Sequence, residues 1–166
     1  MTDTIITSTT DDKNDNEPKN VTRRYSFRRE VSYTSLYVFS KYVPDNSTSA
    51  PSIGTAVEYA LDFVKSITDR IDWNALSAIP TSELQIPKFI KCGTRFYTSV
   101  TMPEDADENL STLCLIIGND FKELKKRAPY RNFVLAMALR AVIANDLEIL
   151  PYKNNQPEQT ETPNNR

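Results

Sequence analysis

Four arginines and two aromatic residues lie close together near the start of the chain, in the segment Arg23-Arg24-Tyr25-Ser26-Phe27-Arg28-Arg29. A guanidinium group keeps its charge at all physiological pH values and can neutralise a phosphate. The segment could therefore bind a polyanion with a strongly salt-dependent affinity. The candidate phosphate contacts are Arg23, Arg24, Arg28 and Arg29. We predict a flexible basic arm over residues 21–30, although the same arginines could instead form a solvated linker that balances the acidic residues before them.

A second group of polar side chains recurs at alternate positions of residues 94–102, TRFYTSVTM. This alternation predicts a β-strand with two different faces, because successive side chains of a strand point in opposite directions. One face carries Phe96, Thr98, Val100 and Met102, and the other carries Arg95, Tyr97, Ser99 and Thr101. The second face offers hydrogen-bond donors and acceptors, and Pro103 ends the strand. An ordinary edge strand with a solvated polar face is the alternative.

The residue types that the chain lacks exclude much of catalytic chemistry. It contains no histidine, which excludes Ser-His-Asp triads, Cys-His dyads and histidine-bearing zinc sites. Two cysteines cannot form a cysteine-only zinc site, and three glycines do not provide a glycine-rich phosphate loop. Asp105, Asp107 and Glu108 could hold Mg²⁺, but they also suit the first turn of a helix. We expect no enzymatic activity, metal, cofactor or small-molecule substrate.

Composition divides the chain into one domain and two polar ends. Residues 1–20 and 153–166 hold few or no large apolar side chains, so they cannot bury enough surface to offset the entropy of ordering. We expect both to be disordered tails. Residues 21–152 are long enough for a single globular domain with its own core.

The same composition bears on location. The first residues lack the basic start and apolar stretch of a signal peptide, and no apolar run is long enough to span a membrane. Cys92 and Cys114 are too few for a disulfide framework, which favours a reducing compartment. We expect a cytoplasmic protein that does not associate with membranes.

The first half of the domain, residues 31–79, is predicted to be a strand followed by helices. Val31–Phe39 is rich in β-branched and aromatic residues, which predicts a strand. A helix is predicted to begin at Thr55, because Glu58 three residues later completes a capping-box pattern and apolar residues then recur at helical spacing. Trp73–Ile79 is predicted to be a short further helix.

The second half, residues 94–150, is predicted to be a strand and two helices. After the strand, apolar residues recur at helical spacing from Ala106 to Gly118, and the glycine predicts the end of that helix. Asn119-Asp120 then suits the N-cap of another helix. Phe133–Ala144 is apolar nearly all round, broken only by Arg140, which predicts a buried helix.

A weak internal similarity suggests a degenerate duplication. Residues 33–36 (YTSL) resemble residues 97–100 (YTSV), which are numbered 64 later. Ala60, Leu61 and Val64 resemble Ala138, Leu139 and Val142, which are numbered 78 later. Because the two matches need different offsets, a true repeat would require a helix that the first copy lacks.

Residues 95–128 resemble the ribbon-helix-helix family of DNA-binding proteins. The matching features are the strand Arg95–Met102 with Pro103 at its end, the acidic start Glu104-Asp105, and then Gly118, Asp120 and Glu123-Leu124. The match covers about a fifth of the chain. It implies a mostly α fold with short β-strands (α+β), in which a strand is followed by two helices.

The resemblance also implies a mechanism. Two such strands, from two subunits or two copies, pair antiparallel and enter the major groove, where Arg95, Tyr97, Ser99 and Thr101 would read base edges. Amide groups at the start of the second helix, around Asn119, would hold a phosphate. That second helix is either 120–128 or 132–145. Asp120, which would place a negative charge near the phosphate, departs from the family pattern.

Three functions of different classes follow from these observations. Our prediction is an accessory or transcriptional regulatory protein of a plasmid or mobile element, which binds double-stranded DNA as a homodimer or higher oligomer. The first alternative is a protein-interaction adaptor of a phage or mobile element without nucleic-acid binding. The second is a small carboxylate-dependent enzyme with its site at Asp105–Glu108.

Overall fold

The computed structural model describes residues 19–44, 52–90, 94–123 and 130–153. The elements in chain order are β1 (Asn20–Arg28), α1 (Glu30–Tyr42), α2 (Ile53–Lys65), α3 (Trp73–Ala78), β2 (Arg95–Pro103), α4 (Glu104–Glu123) and α5 (Arg131–Asp146). The described part of the chain has an α+β fold, with a two-stranded antiparallel sheet and mostly helical structure around it. The predicted tails, 1–20 and 153–166, lie almost entirely outside the described residues.

The sheet joins two strands that are far apart in sequence. β1 pairs antiparallel with β2, in a register that runs from Asn20 opposite Pro103 to Arg28 opposite Arg95. β2 confirms the strand predicted at 94–102. The prediction of a flexible arm over 21–30 is wrong, because every residue of β1 has a partner on β2 and the side chains of Tyr25 and Phe27 are buried beneath the sheet.

The prediction of a strand over Val31–Phe39 is also wrong, since these residues lie in α1. The buried residues of α1 recur at helical spacing: Val31, Thr34, Ser35 and Val38. Ser32, Ser35 and Ser40 each donate a hydrogen bond to the backbone oxygen three residues earlier, which satisfies their hydroxyls within the helix. The β-branched and aromatic composition favoured a strand, but burial of one helical face outweighs that preference.

The next two helices agree with the sequence. α2 begins two residues before the predicted start at Thr55, and the predicted capping box is wrong because the N-cap is Ser52, whose hydroxyl accepts from the Thr55 amide at 3.1 Å. α3 confirms the short helix at Trp73–Ile79, and Asp72 caps it by accepting from the Ala75 amide at 2.9 Å. Each cap satisfies an amide that would otherwise have no partner in the first turn.

The predicted end of a helix at Gly118 and the predicted start of another at Asn119-Asp120 are both wrong. α4 continues through these residues to Glu123. Gly118 itself is buried, and the side chains of Ile117 and Phe121 on either side of it are buried one turn apart, so apolar packing carries the helix past the glycine. Asp120 forms an ion pair with Lys153, 2.9 Å away, rather than capping a helix. Of the two registers, the second helix after β2 is α5, which matches 132–145.

α5 lies at the centre of the core and packs against α1, α2, α3, α4 and β1. Residues from Val134 to Ala144 are buried with one exception, which explains why this helix is apolar all round. Arg140 is only 7% exposed. Its guanidinium donates to the backbone oxygens of Ile79 and Leu76 at the end of α3 and lies 3.8 Å from the Glu30 carboxylate. Its charge is therefore compensated inside the core.

A group of hydrogen bonds and an ion pair also joins α1 to the end of α5. The Asp146 carboxylate accepts hydrogen bonds from the hydroxyls of Tyr37 and Tyr42 and forms an ion pair with Lys41 at 2.9 Å. Burial and the bond to Asp146 together raise the pKa of Tyr42 to about 12, which keeps this hydroxyl a proton donor. In the described part of the chain, no helix is both long and apolar enough to cross a membrane.

The order strand, helix, helix occurs twice, as β1-α1-α2 and as β2-α4-α5, with α3 between them. The sequence match at offset 78 falls on equivalent helices, because Ala60, Leu61 and Val64 are buried in α2 and their counterparts are buried in α5. The match at offset 64 is wrong as a structural equivalence, since residues 33–36 are helical and residues 97–100 are in a strand.

Candidate nucleic-acid interface

The β1–β2 sheet turns one face towards the helices and the other towards solvent. The inner face carries Tyr25, Phe27, Val100 and Met102, which are buried. The outer face carries the alternate residues, Asn20, Thr22, Arg24, Ser26 and Arg28 on β1 with Arg95, Tyr97, Ser99 and Thr101 on β2. We call these nine residues the ribbon face. Neither strand contains Asp or Glu, so the face carries three positive charges and no negative one.

The aromatic residue of the ribbon face is held beside an arginine. Tyr97 is 68% exposed, and the Arg24 guanidinium lies 5.6 Å from the centre of its ring. This distance is within the range of a cation–π contact, which orders both side chains while leaving their polar ends in solvent. Arg24 also lies opposite Ser99, in the middle pair of the register.

One end of the ribbon face holds two arginines opposite each other, Arg28 and Arg95. Arg95 donates from Nε to the hydroxyl oxygen of Ser26 at 2.8 Å and from Nη2 to the backbone oxygen of Ser26 at 3.1 Å. These two bonds orient its guanidinium across the strands. Like charges directly opposite each other on a sheet are destabilising, so an anion or a base acceptor between them would relieve their repulsion.

The arrangement at the other end is neutral. Thr22 lies opposite Thr101, and their hydroxyls share a hydrogen bond of 2.8 Å. Asn20 lies opposite Pro103 beyond them. A cleft of about 290 Å³ adjoins the arginine end, where Arg28 and Arg95 line it together with Asn132 and the buried Arg140.

The four arginines predicted as one arm fall into different environments. Arg24 and Arg28 lie on the ribbon face. Arg23 faces the helices and donates from Nε and Nη2 to the two oxygens of Asp107, both at 2.9 Å. Arg29 follows β1, donates its amide to the Thr94 oxygen and places its guanidinium 5.9 Å from the Phe96 ring. Thus two of the four have structural partners on the side of the helices.

Asp107 is the centre of an ion-pair cluster under the sheet. It accepts from Arg23 of β1 and from Arg131 at the start of α5, so it ties the strand to two helices. The hydrogen bonds from Arg23, with help from the nearby charge of Arg131, hold the pKa of Asp107 below its usual value despite its burial. Both carboxylate oxygens of Asp107, in the first turn of α4, therefore accept hydrogen bonds from arginines. Among the described residues, no group of three or more Asp, Glu or Cys side chains is placed to hold a metal ion.

We expect Asp107→Asn to lower the free energy of unfolding by about 2 kcal/mol at pH 6, because a carboxylate that accepts charged hydrogen bonds is lost. The pKa of Asp107 is lower in the folded chain than the usual ~3.9 of the unfolded one. The carboxylate therefore stabilises the fold fully above that unfolded value, and the effect disappears as the pH falls through the lowered pKa.

Urea unfolding of wild type and variant at pH 6 and at pH 3 checks this expectation. The difference between the two proteins should be smaller at pH 3. Asp105→Asn is the matched control, since Asp105 is exposed in the same helical turn and should change stability by less than about 1 kcal/mol. A difference between wild type and Asp107→Asn that grows on acidification would contradict the proposed role of the carboxylate.

The N-termini of α2 and α5 lie against the ribbon at opposite ends. A Cβ atom on Gly54, in the first turn of α2, would lie 2.4 Å from the backbone oxygen of Thr101. In the first turn of α5, Asn132 donates from Nδ2 to the backbone oxygen of Ser26 at 2.8 Å. The positive ends of two helix dipoles are therefore close to the two ends of the sheet.

The placement of Asn119 differs from the sequence prediction. The ribbon-helix-helix resemblance predicts Asn119 at the start of a helix, where free backbone amides could bind a phosphate. Asn119 lies inside α4, where backbone amides are used within the helix. The structural basis for its predicted phosphate contact is therefore absent, whereas Arg95, Tyr97, Ser99 and Thr101 occupy the exposed strand face on which they were predicted.

Sequence reasoning missed the outer residues of β1, namely Asn20, Thr22 and Ser26. The segment contains an alternation that could have revealed them, since Val21, Tyr25 and Phe27 are apolar and the residues between them are polar. Arg23 interrupts this pattern, because it reaches from the inner face to Asp107. An arginine that is paired with a carboxylate cannot be distinguished by sequence alone from a solvated one.

Comparison of this chain with protein-family models, with curated proteins and with solved structures finds no match.

Proposed function

We propose that the protein binds double-stranded DNA, with the β1–β2 ribbon in the major groove. The observation that carries this proposal is the ribbon face, which combines three arginines, a tyrosine and several short hydroxyl side chains without any carboxylate. A two-stranded ribbon fits the major groove, where arginine can pair with guanine and Ser or Thr can bond to either kind of base edge.

The arrangement of the helices supports the proposal. In both halves a strand is followed by two helices, and the second helix of each half begins beside the ribbon. This order of a strand and two helices supports the ribbon-helix-helix proposal, in which one chain would carry two copies of the unit. The positive helix ends would add attraction for phosphates on each side of the groove. The proposal includes an accessory or regulatory role on a plasmid or mobile element and a cytoplasmic location.

The ribbon is completed within a single chain, so a second subunit is not needed to build it. The dimer or higher oligomer expected from the sequence would instead place two ribbons on neighbouring DNA sites. We retain the oligomer as a proposal. It would make binding to neighbouring DNA sites cooperative, and it is not needed to form the ribbon.

Fluorescence anisotropy with a mixed-sequence duplex, titrated at several salt concentrations, tests DNA binding. Wild type should bind at low salt with an affinity that falls steeply as salt rises. Arg95→Ala should weaken binding by about tenfold, since each good contact of an arginine to a base is worth ~1–3 kcal/mol.

Lys65→Ala is the matched control. Lys65 is an exposed basic residue in the last turn of α2, roughly 18 Å along the helix from the end that contacts the ribbon. At ~0.1 M salt its substitution should change affinity by less than about twofold, because the Debye length is then ~10 Å and exposed charges farther apart interact weakly. If wild type does not bind DNA even at low salt, the proposal is wrong and the adaptor function takes its place.

A further inference from the structure

We infer that the DNA site of this protein is not palindromic, and that the protein binds it in a single orientation. The inference rests on the proposed function and specifies its substrate. Both strands of the ribbon belong to one chain and therefore differ in sequence. The major groove has the same shape in either direction, so only the side chains can set the orientation of the protein on its site.

The register defines an approximate two-fold axis through the sheet. β1 and β2 form nine residue pairs, and the middle pair is Arg24 opposite Ser99. A half-turn about an axis through this pair brings each residue of β1 onto the β2 residue numbered 75 higher. Most of the inner face obeys this symmetry, because Tyr25 and Phe27 correspond to Val100 and Met102, which are all buried, whereas Arg23 corresponds to Thr98. The scaffold is thus nearly symmetric under the sheet.

The ribbon face breaks the symmetry at every position. On the ribbon face Asn20 corresponds to Arg95, Thr22 to Tyr97, Arg24 to Ser99 and Ser26 to Thr101, and Arg28 corresponds to Pro103 at the end of β2. No pair contains the same residue twice. A palindromic site would offer identical base edges to two different side chains, and it would satisfy only one of each pair.

The chemistry of the two ends differs in a definite direction. Arg28 and Arg95 lie together at one end, and Arg24 is central, so positive charge increases from the Thr22–Thr101 end to the arginine end. Strands rise about 3.3 Å per residue, which places each end of the ribbon roughly 13 Å from its centre, or about four base pairs. Arginine favours guanine, whereas the methyl group of threonine can contact the methyl of thymine.

The inferred site therefore has a guanine-containing half under Arg28 and Arg95 and a half richer in A·T pairs under Thr22 and Thr101. The hydrogen bond of 2.8 Å between the two threonine hydroxyls uses one of their donors, while the threonine methyl groups could contact the methyl group of thymine. The bonds from Arg95 to Ser26 position its guanidinium before DNA arrives, which favours a fixed contact over a loose one.

Selection of binding sequences by the full-length protein from a duplex pool with a random central region tests the inference. We expect an enriched motif that differs from its own reverse complement, with guanines concentrated in one half. The same selection with Arg95→Ala should lower the guanine preference in that half by on the order of tenfold. Asn20→Ala, at the opposite end of the ribbon face, should leave the guanine-containing half unchanged.

The outcomes separate this inference from the proposed function. A palindromic motif, or salt-sensitive binding without any enriched motif, would overturn the non-palindromic site while leaving DNA binding in place. Loss of guanine preference in both halves, or in neither, on Arg95→Ala would overturn the assigned orientation. If the wild-type protein retains no DNA from the pool at low salt, DNA binding itself is wrong.

Discussion

Gly54→Val should lower the free energy of unfolding by about 3 kcal/mol, because overpacking at this position meets a backbone atom rather than a flexible side chain. A Cβ on residue 54 would lie 2.4 Å from the oxygen of Thr101. That oxygen belongs to a residue paired with Thr22 across the sheet, so it cannot retreat without disturbing the strand pairing.

The sign of the effect distinguishes this clash from helix propensity. In an unobstructed helix, replacing glycine with alanine stabilises by about 0.5–1 kcal/mol. Here Gly54→Ala should destabilise, and Gly54→Val should destabilise more. Urea unfolding of both variants measures the two effects. Asp62→Ala, on the exposed face of the same helix, serves as the control and should change stability by no more than about 0.5 kcal/mol.

A stabilising effect of Gly54→Ala would mean that α2 does not approach β2 as closely as the structure places it. The consequence would extend beyond stability, because the contact between Gly54 and Thr101 sets the position of the start of α2 relative to the ribbon face. The equivalent position in α5 is Asn132, which bonds to Ser26 instead. The two halves thus hold their second helix against the ribbon by different contacts.

The second large effect is expected from reversing the central charge of the ribbon face. Arg24→Glu should weaken DNA binding at least about 100-fold at low salt, equivalent to about 2.7 kcal/mol. The substitution removes a cation that lies over Tyr97 and opposite Ser99, and it places a carboxylate in the middle of the only surface that the proposed mechanism brings to the bases. Its effect should diminish as salt rises, because the lost attraction to phosphates is screened.

The neighbouring residue provides a matched control. Arg23 carries the same charge one position earlier but faces the helices, where it is bonded to Asp107. Arg23→Gln should lower the midpoint of thermal unfolding and change DNA affinity by less than about threefold, since the half-exposed Arg23 side chain is turned away from the ribbon face and bonded to Asp107. Anisotropy titrations and thermal unfolding of both variants measure the two properties separately.

A loss of binding free energy in Arg23→Gln about half as large as that in Arg24→Glu would contradict the assignment of faces, because the two substitutions change the charge by one unit and two units respectively. It would indicate that the arginines act together through their total charge, as the flexible basic arm predicted from the sequence would do. Opposite behaviour of two adjacent arginines is what a rigid strand requires, because successive side chains of a strand lie on opposite faces.

Local patterns predicted several elements of this protein correctly. The alternation in residues 94–102 predicted β2 and the exposure of Arg95, Tyr97, Ser99 and Thr101. The helical spacing of apolar residues after Thr55 predicted α2, and the apolar run at Phe133–Ala144 predicted the buried α5. Each of these signals lies within about twenty residues, the range over which hydrophobic periodicity reports on secondary structure.

The incorrect predictions depend on contacts beyond that range. Val31–Phe39 has the composition of a strand, but its helical face is buried by packing between α1 and α2 and between α1 and α5. Gly118 would end an isolated helix, but burial of Ile117 and Phe121 continues α4 past it. In both places tertiary burial outweighs a local preference of at most about 1 kcal/mol per residue.

The amino-acid sequence by itself determined where polar and apolar residues alternate, where apolar residues recur at helical spacing, and which catalytic residue types are missing. Only the tertiary structure decided that residues 20–28 are a strand and that its partner is residues 95–103. The inner and outer roles of Arg23 and Arg24 were decided in the same way. The reason is that strand pairing joins backbone groups that no local pattern connects, and a strand with a charged inner residue becomes stable only when both its partner strand and the Asp107 carboxylate are in place.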